Sequence, residues 1–513
     1  MLGHALQTHS LQESHGGRTP SPAWDQAIVL SNRGPISQER GADGSTRSRR
    51  SSGGLVTALE PLVQVCSGTW VACGTPLDDT PGTTLGSLDI RCARPRYRLR
   101  HVCLSESEYR GYYYGFANQG LWPLCHALSV QPVFRSIDFL AYRTANIRFA
   151  AAVAEEATCA APLLLVQDYH FAIAPRELRH RLPLSTIVTF WHIPWPPLHV
   201  LRVCPWATEL LEGLLASDIA GFQTPADCAN FLKSVELILG AGVDRDSGMV
   251  RHRGRHTRVR AYPVGVEWNS EVVRATAPAH VCREHVAREL GLAPDVKLGI
   301  GIDRLDYTKG INEKFLAIER VLERRPELRG RFVFVQVAEP SRDCLPEYRS
   351  ARDQLGATAA RVNARFGRSG FQPIVLRESH HEPADVYRLY RAADFCYVGS
   401  LRDGMNLVAK EFVSARDDER GVLILSQATG AALQLREASL INPWALESSS
   451  DAVVQALAMP EIEQTNRMRI LRLTVAGSDI GWWARSLLAD AASVRTAAET
   501  TAPMPTSAVR LSA

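Results

Sequence analysis

Short runs of Val, Ile, Leu and Phe recur along this chain, separated by stretches with helical spacing. One series is Ala27–Ser31, Leu163–Gln167, Thr186–Trp191 and Ile219–Gln223. A second is Lys297–Ile302, Phe332–Ala338, Pro373–Glu378, Phe395–Ser400 and Gly421–Ser426. They lack a strict apolar–polar alternation, so each reads as a strand buried on both faces, as in a parallel sheet covered by helices. The helices between them carry their own punctuation. Thr224 reads as an N-cap, with Pro225 at the first helical position, Asp227 in the first turn and Gly240 at the end. A second helix is expected from Asn312 to Arg325, burying Phe315, Ile318 and Leu322 and stopping before Pro326. The two series stand on either side of Tyr262-Pro-Val-Gly-Val-Glu-Trp268, where Pro263 and Gly265 suggest a hinge. The expected fold class is α/β: two Rossmann-like domains facing each other across a cleft, with ligands beyond the carboxyl ends of the strands.

Length agrees, since 513 residues accommodate two large domains. The first, 26–264, follows a polar leader, 1–25, which has no hydrophobic segment, does not read as a signal peptide and is expected to be disordered. The second is 265–478. A segment rich in Thr, Ala, Pro and Ser, 496–513, is expected to be a disordered tail. A net charge of +4 over this length gives no reason to expect nucleic acid or a membrane as partner, and no apolar run could span a bilayer. The eleven cysteines show no C-x-x-C, and Cys66, Cys103, Cys159, Cys228 and Cys396 lie in or beside apolar runs. This is the usage of reduced thiols in a cytoplasmic protein.

Polar residues at the strand ends are the candidates for chemistry. Arg33 follows the first run, and Gly53-Gly54 precede a helical pattern after Gly41–Ser52, which reads as a mobile loop. Two glycines there would let backbone amides approach an anion. Asp168-Tyr169-His170 and His192 close two more runs beside Trp191 and Trp195, a mixture of carboxylate and aromatic faces that suits a sugar. Arg304 and Lys309 stand on one loop after Lys297–Ile302, where two fixed cations could neutralise a departing diphosphate. Arg342 ends the next run. Asp403-Gly404 breaks the run Phe395–Ser400 before a helix whose amides would face a phosphate, and Glu411 lies one turn beyond Leu407, where a carboxylate suits ribose hydroxyls. Taken singly, these have blander readings as a surface ion pair, a turn or a satisfied histidine, and the functional one is preferred for Arg304 and Lys309 because the two cations follow a buried strand and precede a helix. The G-x-G-x-x-G and G-x-x-x-x-G-K-S/T fingerprints are absent, which argues against a nicotinamide enzyme or a phosphate-loop kinase.

The segments SNRGP, GGL, YYYGFANQGLWP, QDYH, WHIPWP, GFQT, YPVGV, DRLDYTKG, PSR and LRDGMNLVAKE occur in this order. Together, from about Ala27 to Trp483, they closely resemble the trehalose-6-phosphate synthase family. The resemblance implies a GT-B fold and a retaining glycosyltransferase without metal or other cofactor. Its donor would be a nucleotide-glucose, usually UDP-glucose, and its acceptor glucose 6-phosphate. It makes the first domain the acceptor domain and the second the nucleotide-sugar domain, with 479–495 a helix returning to the first. Donor contacts are implied at Gly53, Gly54, Arg304, Lys309, His381, Asp403, Leu407, Val408 and Glu411. Acceptor contacts are implied at Arg33, Tyr113, Trp122, Asp168 and Arg342. Catalysis would rest on Asp168, His192, Arg304, Lys309 and Asp403. None of these is a convincing nucleophile, which points to front-face attack with the leaving phosphate taking the proton. Three positions depart from the family pattern: Ala72-Cys73 where relatives have Gly-Trp, Gln434 for Glu, and His381 where an aromatic is usual. A sister transferase with another acceptor, or an inactive regulatory relative, is the alternative. A homo-oligomer is compatible with the family.

Overall fold

A computed structural model describes residues 24–501, except 41–45, 51–55, 57–58, 61–62, 64–67, 75–87, 91–96 and 369. In chain order the first half has β1 (Ala27–Ser31), the hairpin strands β2 (Ile36–Arg40) and β3 (Thr46–Arg50), β4 (Thr69–Cys73), β5 (Leu88–Ile90) and β6 (Tyr97–Val102). Then follow β7 (Leu163–Gln167), β8 (Thr186–Phe190), β9 (Ile219–Phe222), β10 (Gly242–Asp244), β11 (Met249–His252) and β12 (Arg255–Ala261). Ten of them form one sheet, ordered β10-β11-β12-β9-β8-β7-β1-β4-β6-β5. The second half has β13 (Lys297–Arg304), β14 (Phe332–Glu339), β15 (Ile374–Arg377), β16 (Phe395–Val398), β17 (Val422–Ser426) and β18 (Ser439–Ile441), in the order β15-β14-β13-β16-β17-β18. Every pairing in this second sheet is parallel.

The apolar runs became strands for the reason their composition suggests. Every residue of β1, β7, β8 and β17 is buried, so both faces of each are covered. The half-exposed strands β6 and β12 were not read from sequence, because exposed Arg98 and Arg260 interrupt their apolar pattern. Helix α1 (Ser136–Glu156) packs against a π-helical segment, Arg110–Leu121. A Cβ on Gly111 would lie 2.7 Å from Ala141 Cβ, and one on Gly115 2.4 Å from the Asp138 carboxyl carbon, so glycine at these positions lets α1 come this close. Helix α2 (Pro225–Leu239) begins at Thr224, whose side chain accepts the Asp227 N–H, and ends on Gly240 in the left-handed conformation (φ +63°). Helix α3 is Ile311–Arg324, and α4 is Leu407–Ala415.

Helix α5 (Ile480–Thr501) closes the chain on the first sheet. Trp483 is fully buried with its ring edge-on to Phe190 of β8, 5.2 Å between centroids. Asp490 accepts from Tyr262 Oη at 2.6 Å and from Arg260 at 2.8 Å. The start of α5 is also pinned to the connection between the sheets: Ile480 N donates to Val266 O at 3.0 Å, and a Cβ on Gly265 would meet Ser478 O at 2.4 Å.

Three expectations need correction. The helix runs on to Thr501, beyond the residue where a disordered tail was expected, because Ala- and Glu-containing sequence propagates a helix well. Trp24, inside the expected leader, is part of the folded domain: its indole is buried and donates to Thr186 Oγ1 at 3.3 Å. The segment read as a mobile loop contains β3, paired antiparallel with β2. Residues 1–23 and 502–513 lie outside the described residues.

Candidate active site

In both sheets the order of the parallel strands reverses once. In the first, the chain moves outward from β1 through β4 and β6, then returns to the other side at β7. In the second, it moves from β13 through β14 to β15, then returns at β16. Such reversals leave a crevice at the carboxyl ends of the strands. The two crevices face each other and share a cavity of about 290 Å³. It collects Arg33 after β1, Asp168 after β7 and His192 after β8, with Tyr113 and Trp122 from the π-helical side. From the second domain come Arg304, the last residue of β13, Lys309 beyond it, Arg342 after β14 and Asp403 after β16. The domains touch here. A Cβ on Gly404 would lie 2.2 Å from the carbonyl oxygen of His192, so this glycine permits the closure.

The cations form two groups. Arg342, its side chain 5 % exposed, stacks over Trp122 with Cζ 4.3 Å from a ring centroid. It donates to Tyr169 Oη at 3.2 Å and to the buried carboxylate of Asp306 at 3.4 Å. Arg33, at the cavity mouth, and Arg342 both face the Tyr113 phenol. Burial would raise that phenol, but the two guanidiniums outweigh it and bring it down to about 8. Arg304 also lies over Trp122, with Cζ 5.5 Å from a ring centroid. Lys309 Nζ donates to Asp403 Oδ2 at 2.5 Å. Asp403 is largely buried, which alone would raise its carboxyl, yet Lys309 holds it below the usual range. Its Oδ2 also accepts from Asn406 at 3.2 Å and Ser400 at 3.3 Å.

Asp168 sits in a less compensated place. Its Oδ1 accepts backbone N–H groups of Tyr169 (3.0 Å) and His192 (3.1 Å), but burial still pushes the carboxyl up to about 6. Backbone strain concentrates here. Asp168 (φ +74°), Arg342 (φ +54°) and Asn406 (φ +81°) all hold positive φ without being glycine, a conformation that persists where surrounding contacts enforce it. The His192 ring is contacted by Gln167 and Gln223, and burial pushes it down to about 3. Among the described residues no group of three or more His, Cys, Asp or Glu could hold a metal ion.

The cavity therefore unites Arg33, Tyr113, Trp122, Asp168, His192, Arg304, Lys309, Arg342 and Asp403. Leu407 and Val408 open α4, and Glu411, further along that helix, accepts from Tyr390 Oη of the neighbouring helix Pro383–Ala392 at 3.1 Å; none of the three lines the cavity. His381 is not brought to it either. Its side chain borders a separate cleft with His285, Arg377 and Asp385, with Nδ1 3.0 Å from Ser379 O. Gly53 and Gly54 lie outside the described residues. Sequence reasoning missed the supporting groups Gln167, Gln223, Asp306 and Asn406. Their only signal was position, directly beside the chosen residues at strand ends or within the same motif.

Comparison with known proteins gives this geometry a family. A family model described as glycosyltransferase family 20 matches residues 25–493. The chain belongs to glycosyltransferase family 20. It is 40% identical over 472 residues to a trehalose-6-phosphate synthase of Mycobacterium sp. (strain JLS), covering 90% of this chain and 95% of that one. Among solved structures, an alpha,alpha-trehalose-phosphate synthase (UDP-forming) from Burkholderia vietnamiensis superposes with a TM-score of 0.83 and 32% identity, over 93% of this chain and 99% of that chain. A UDP-forming synthase from Burkholderia xenovorans, in complex with glucose-6-phosphate, gives 0.81 and 31%, over 91% and 99%. The two facing α/β domains are thus the GT-B architecture of these family-20 enzymes. Within the described residues no helix is long and apolar enough to cross a membrane.

Proposed function

We propose that this chain transfers glucose, with retention, from UDP-glucose to glucose 6-phosphate, giving UDP and α,α-trehalose 6-phosphate. The observation that carries the reading is the meeting of two cation groups in one cavity, Arg33 with Arg342 and Arg304 with Lys309. A sugar phosphate and a nucleotide diphosphate each need one. Support also comes from the relatives, whose names state this chemistry for them.

In this reading the bond from the anomeric carbon of the donor to the diphosphate oxygen breaks. The anomeric hydroxyl oxygen of the acceptor bonds to the same face, and its proton passes to the departing phosphate oxygen. Arg304 and Lys309 meet the charge that grows on that phosphate. Lys309 has three N–H donors, so it can keep Asp403 and still reach an oxygen of the leaving group. Asp403, with Oδ2 engaged, offers Oδ1 to glucose hydroxyls. Asp168 takes acceptor hydroxyls, and Arg33, Tyr113 and Arg342 take the acceptor phosphate over the Trp122 face. The α4 end with Leu407, Val408 and Glu411, together with Gly53, Gly54 and His381, completes the nucleotide side. Side-chain cations supply the positive charge, so the reading includes no metal. It assigns the chain to the cytoplasm, in keeping with nine free cysteines among the described residues.

The test is coupled UDP release from UDP-glucose and glucose 6-phosphate, with and without EDTA, followed by NMR of the product. The expected outcome is turnover insensitive to EDTA and a product with two α-anomeric protons. No turnover with any nucleotide-glucose, or strict metal dependence, overturns the proposal.

A further inference from the structure

Hydrogen bonds around His192 run in a direction that can be deduced from one backbone group. The N–H of Val264, in the connection between the domains, donates to Gln223 Oε1 at 3.0 Å. A backbone N–H can only donate, so the Gln223 amide must present its oxygen to Val264 and its NH₂ to the other side. That NH₂ lies 3.5 Å from His192 Nδ1, which therefore accepts. A neutral imidazole carries one proton, and it must then sit on Nε2, 3.0 Å from Gln167 Oε1. Reversing the Gln167 amide would leave both ring nitrogens facing donors, which a ring with one proton cannot satisfy. A protonated ring would set Nδ1–H against the Gln223 NH₂. The far end of the chain is the Gln167 NH₂. It is buried, lacks a partner among the described residues, and belongs to a side chain of the cavity wall. Val264 is held from the second domain too, because Lys410 Nζ on α4 donates to its carbonyl at 2.7 Å.

We propose that Gln167 is a further substrate-contact residue, its amide N–H aimed at a hydroxyl oxygen of the bound sugar, and that Gln223 is a positioning residue that sets this aim through the Nε2–H tautomer of His192. The chain passes from Val264 N–H to Gln223, from Gln223 to His192, from His192 to Gln167 and from Gln167 to the ligand, each group donating forward. A donor left unpaired in a buried wall is unsatisfied until an acceptor arrives, so its bond forms with the ligand. The charged and titratable groups that share the cavity are Arg33, Tyr113, Asp168 and His170 from the first domain and Arg304, Lys309, Arg342 and Asp403 from the second. Burial keeps the His192 ring neutral in their company. The substrate contact rests on the proposed function, because it needs a sugar in the cavity; the tautomer does not.

Two measurements test the two ends separately. In full-length protein labelled with ¹⁵N-histidine, the His192 signal is the one lost in His192→Gln. It should show a pyridine-like Nδ1 and a pyrrole-like Nε2 from pH 6 to 9. Gln223→Glu sets a carboxylate against Nδ1 and should bring a proton there, adding a pH-dependent step to kcat that Gln223→Met does not show. An Nδ1–H ring in the wild type, or an unaltered ring in Gln223→Glu, overturns the chain. Gln167→Glu keeps the acceptor for His192 and removes the N–H. It should lower kcat/KM roughly tenfold or more with the His192 tautomer unchanged. Wild-type kcat/KM in Gln167→Glu overturns the contact. A wild type that turns over no nucleotide-glucose removes the proposed function and the substrate contact together, while the NMR result still decides the hydrogen-bond chain.

Discussion

Tyr113 shows how the fold changes the chemistry of a single residue. Its phenol is buried, which opposes ionisation, but Arg342 and Arg33 lower it to about 8. Below that value the phenol is a neutral donor to a phosphate. Above it, the phenolate pairs with both guanidiniums and repels the ligand. KM for glucose 6-phosphate should therefore be flat below pH 7.5 and rise as pH passes 8. Tyr113→Phe should raise KM by roughly threefold to tenfold at neutral pH, the worth of one hydrogen bond. It should also abolish the alkaline rise. Initial rates from pH 6.5 to 9.5 decide this: a flat wild-type profile, or a rise that survives in Tyr113→Phe, removes the coupling. Tyr113 itself was legible as part of a motif, but its lowered phenol was not. Arg33 and Arg342 are far from it along the chain, and only folding brings their charges together.

At the scale of elements, the turn between β16 and α4 carries most of the precision. Asn406, at φ +81°, caps α4 by accepting the Ala409 N–H at 3.1 Å, and Gly404 rests against the His192 carbonyl. Gly404→Ala places a methyl inside that contact and forces the domains apart by on the order of an ångström. A displacement of that size costs on the order of 100-fold in rate when the reacting groups sit on opposite domains. The expected outcome is such a fall in kcat with a far-UV spectrum like that of the wild type; a wild-type kcat would show that the contact does not set the cleft. Elements with both faces buried were legible as unbroken apolar runs, β1 and β17 among them. The π-helical segment was not, because its register follows from the approach of α1 at Gly111 and Gly115 rather than from its own periodicity.

Across the whole molecule, the two domains and α5 meet at the connection around Val264. Lys410 is fully buried with the Val264 carbonyl as its partner, and burial pushes its ammonium down to about 7. In the unfolded chain a lysine titrates near 10.4. Between these values the unfolded state holds more protons than the folded one, so this residue makes stability rise with pH, by up to roughly 1.4 kcal/mol per pH unit. Lys410→Met fills the same space without a charge. Relative to wild type it should be favoured most at pH 7 and lose that advantage steadily toward pH 9.5. Thermal melts of both proteins across this range test the slope. Parallel curves would show that Lys410 keeps an ordinary ammonium.

The alternation of buried strands and helices, the connection at Tyr262–Trp268, and the position of Arg33, Asp168, His192, Arg304 and Asp403 at strand ends all follow from local residue pattern. These are short-range properties: they depend on which side chains recur at strand or helix spacing and on where a run stops. Which strand ends face one another, the seat of Arg342 on Trp122, the pairing of Lys309 with Asp403 and the partners of the His192 ring emerge only from long-range packing. Each of those depends on a partner distant in sequence. The direction of a hydrogen bond or the state of a charge is set by the groups that burial forces into contact, and no local pattern of residues records it.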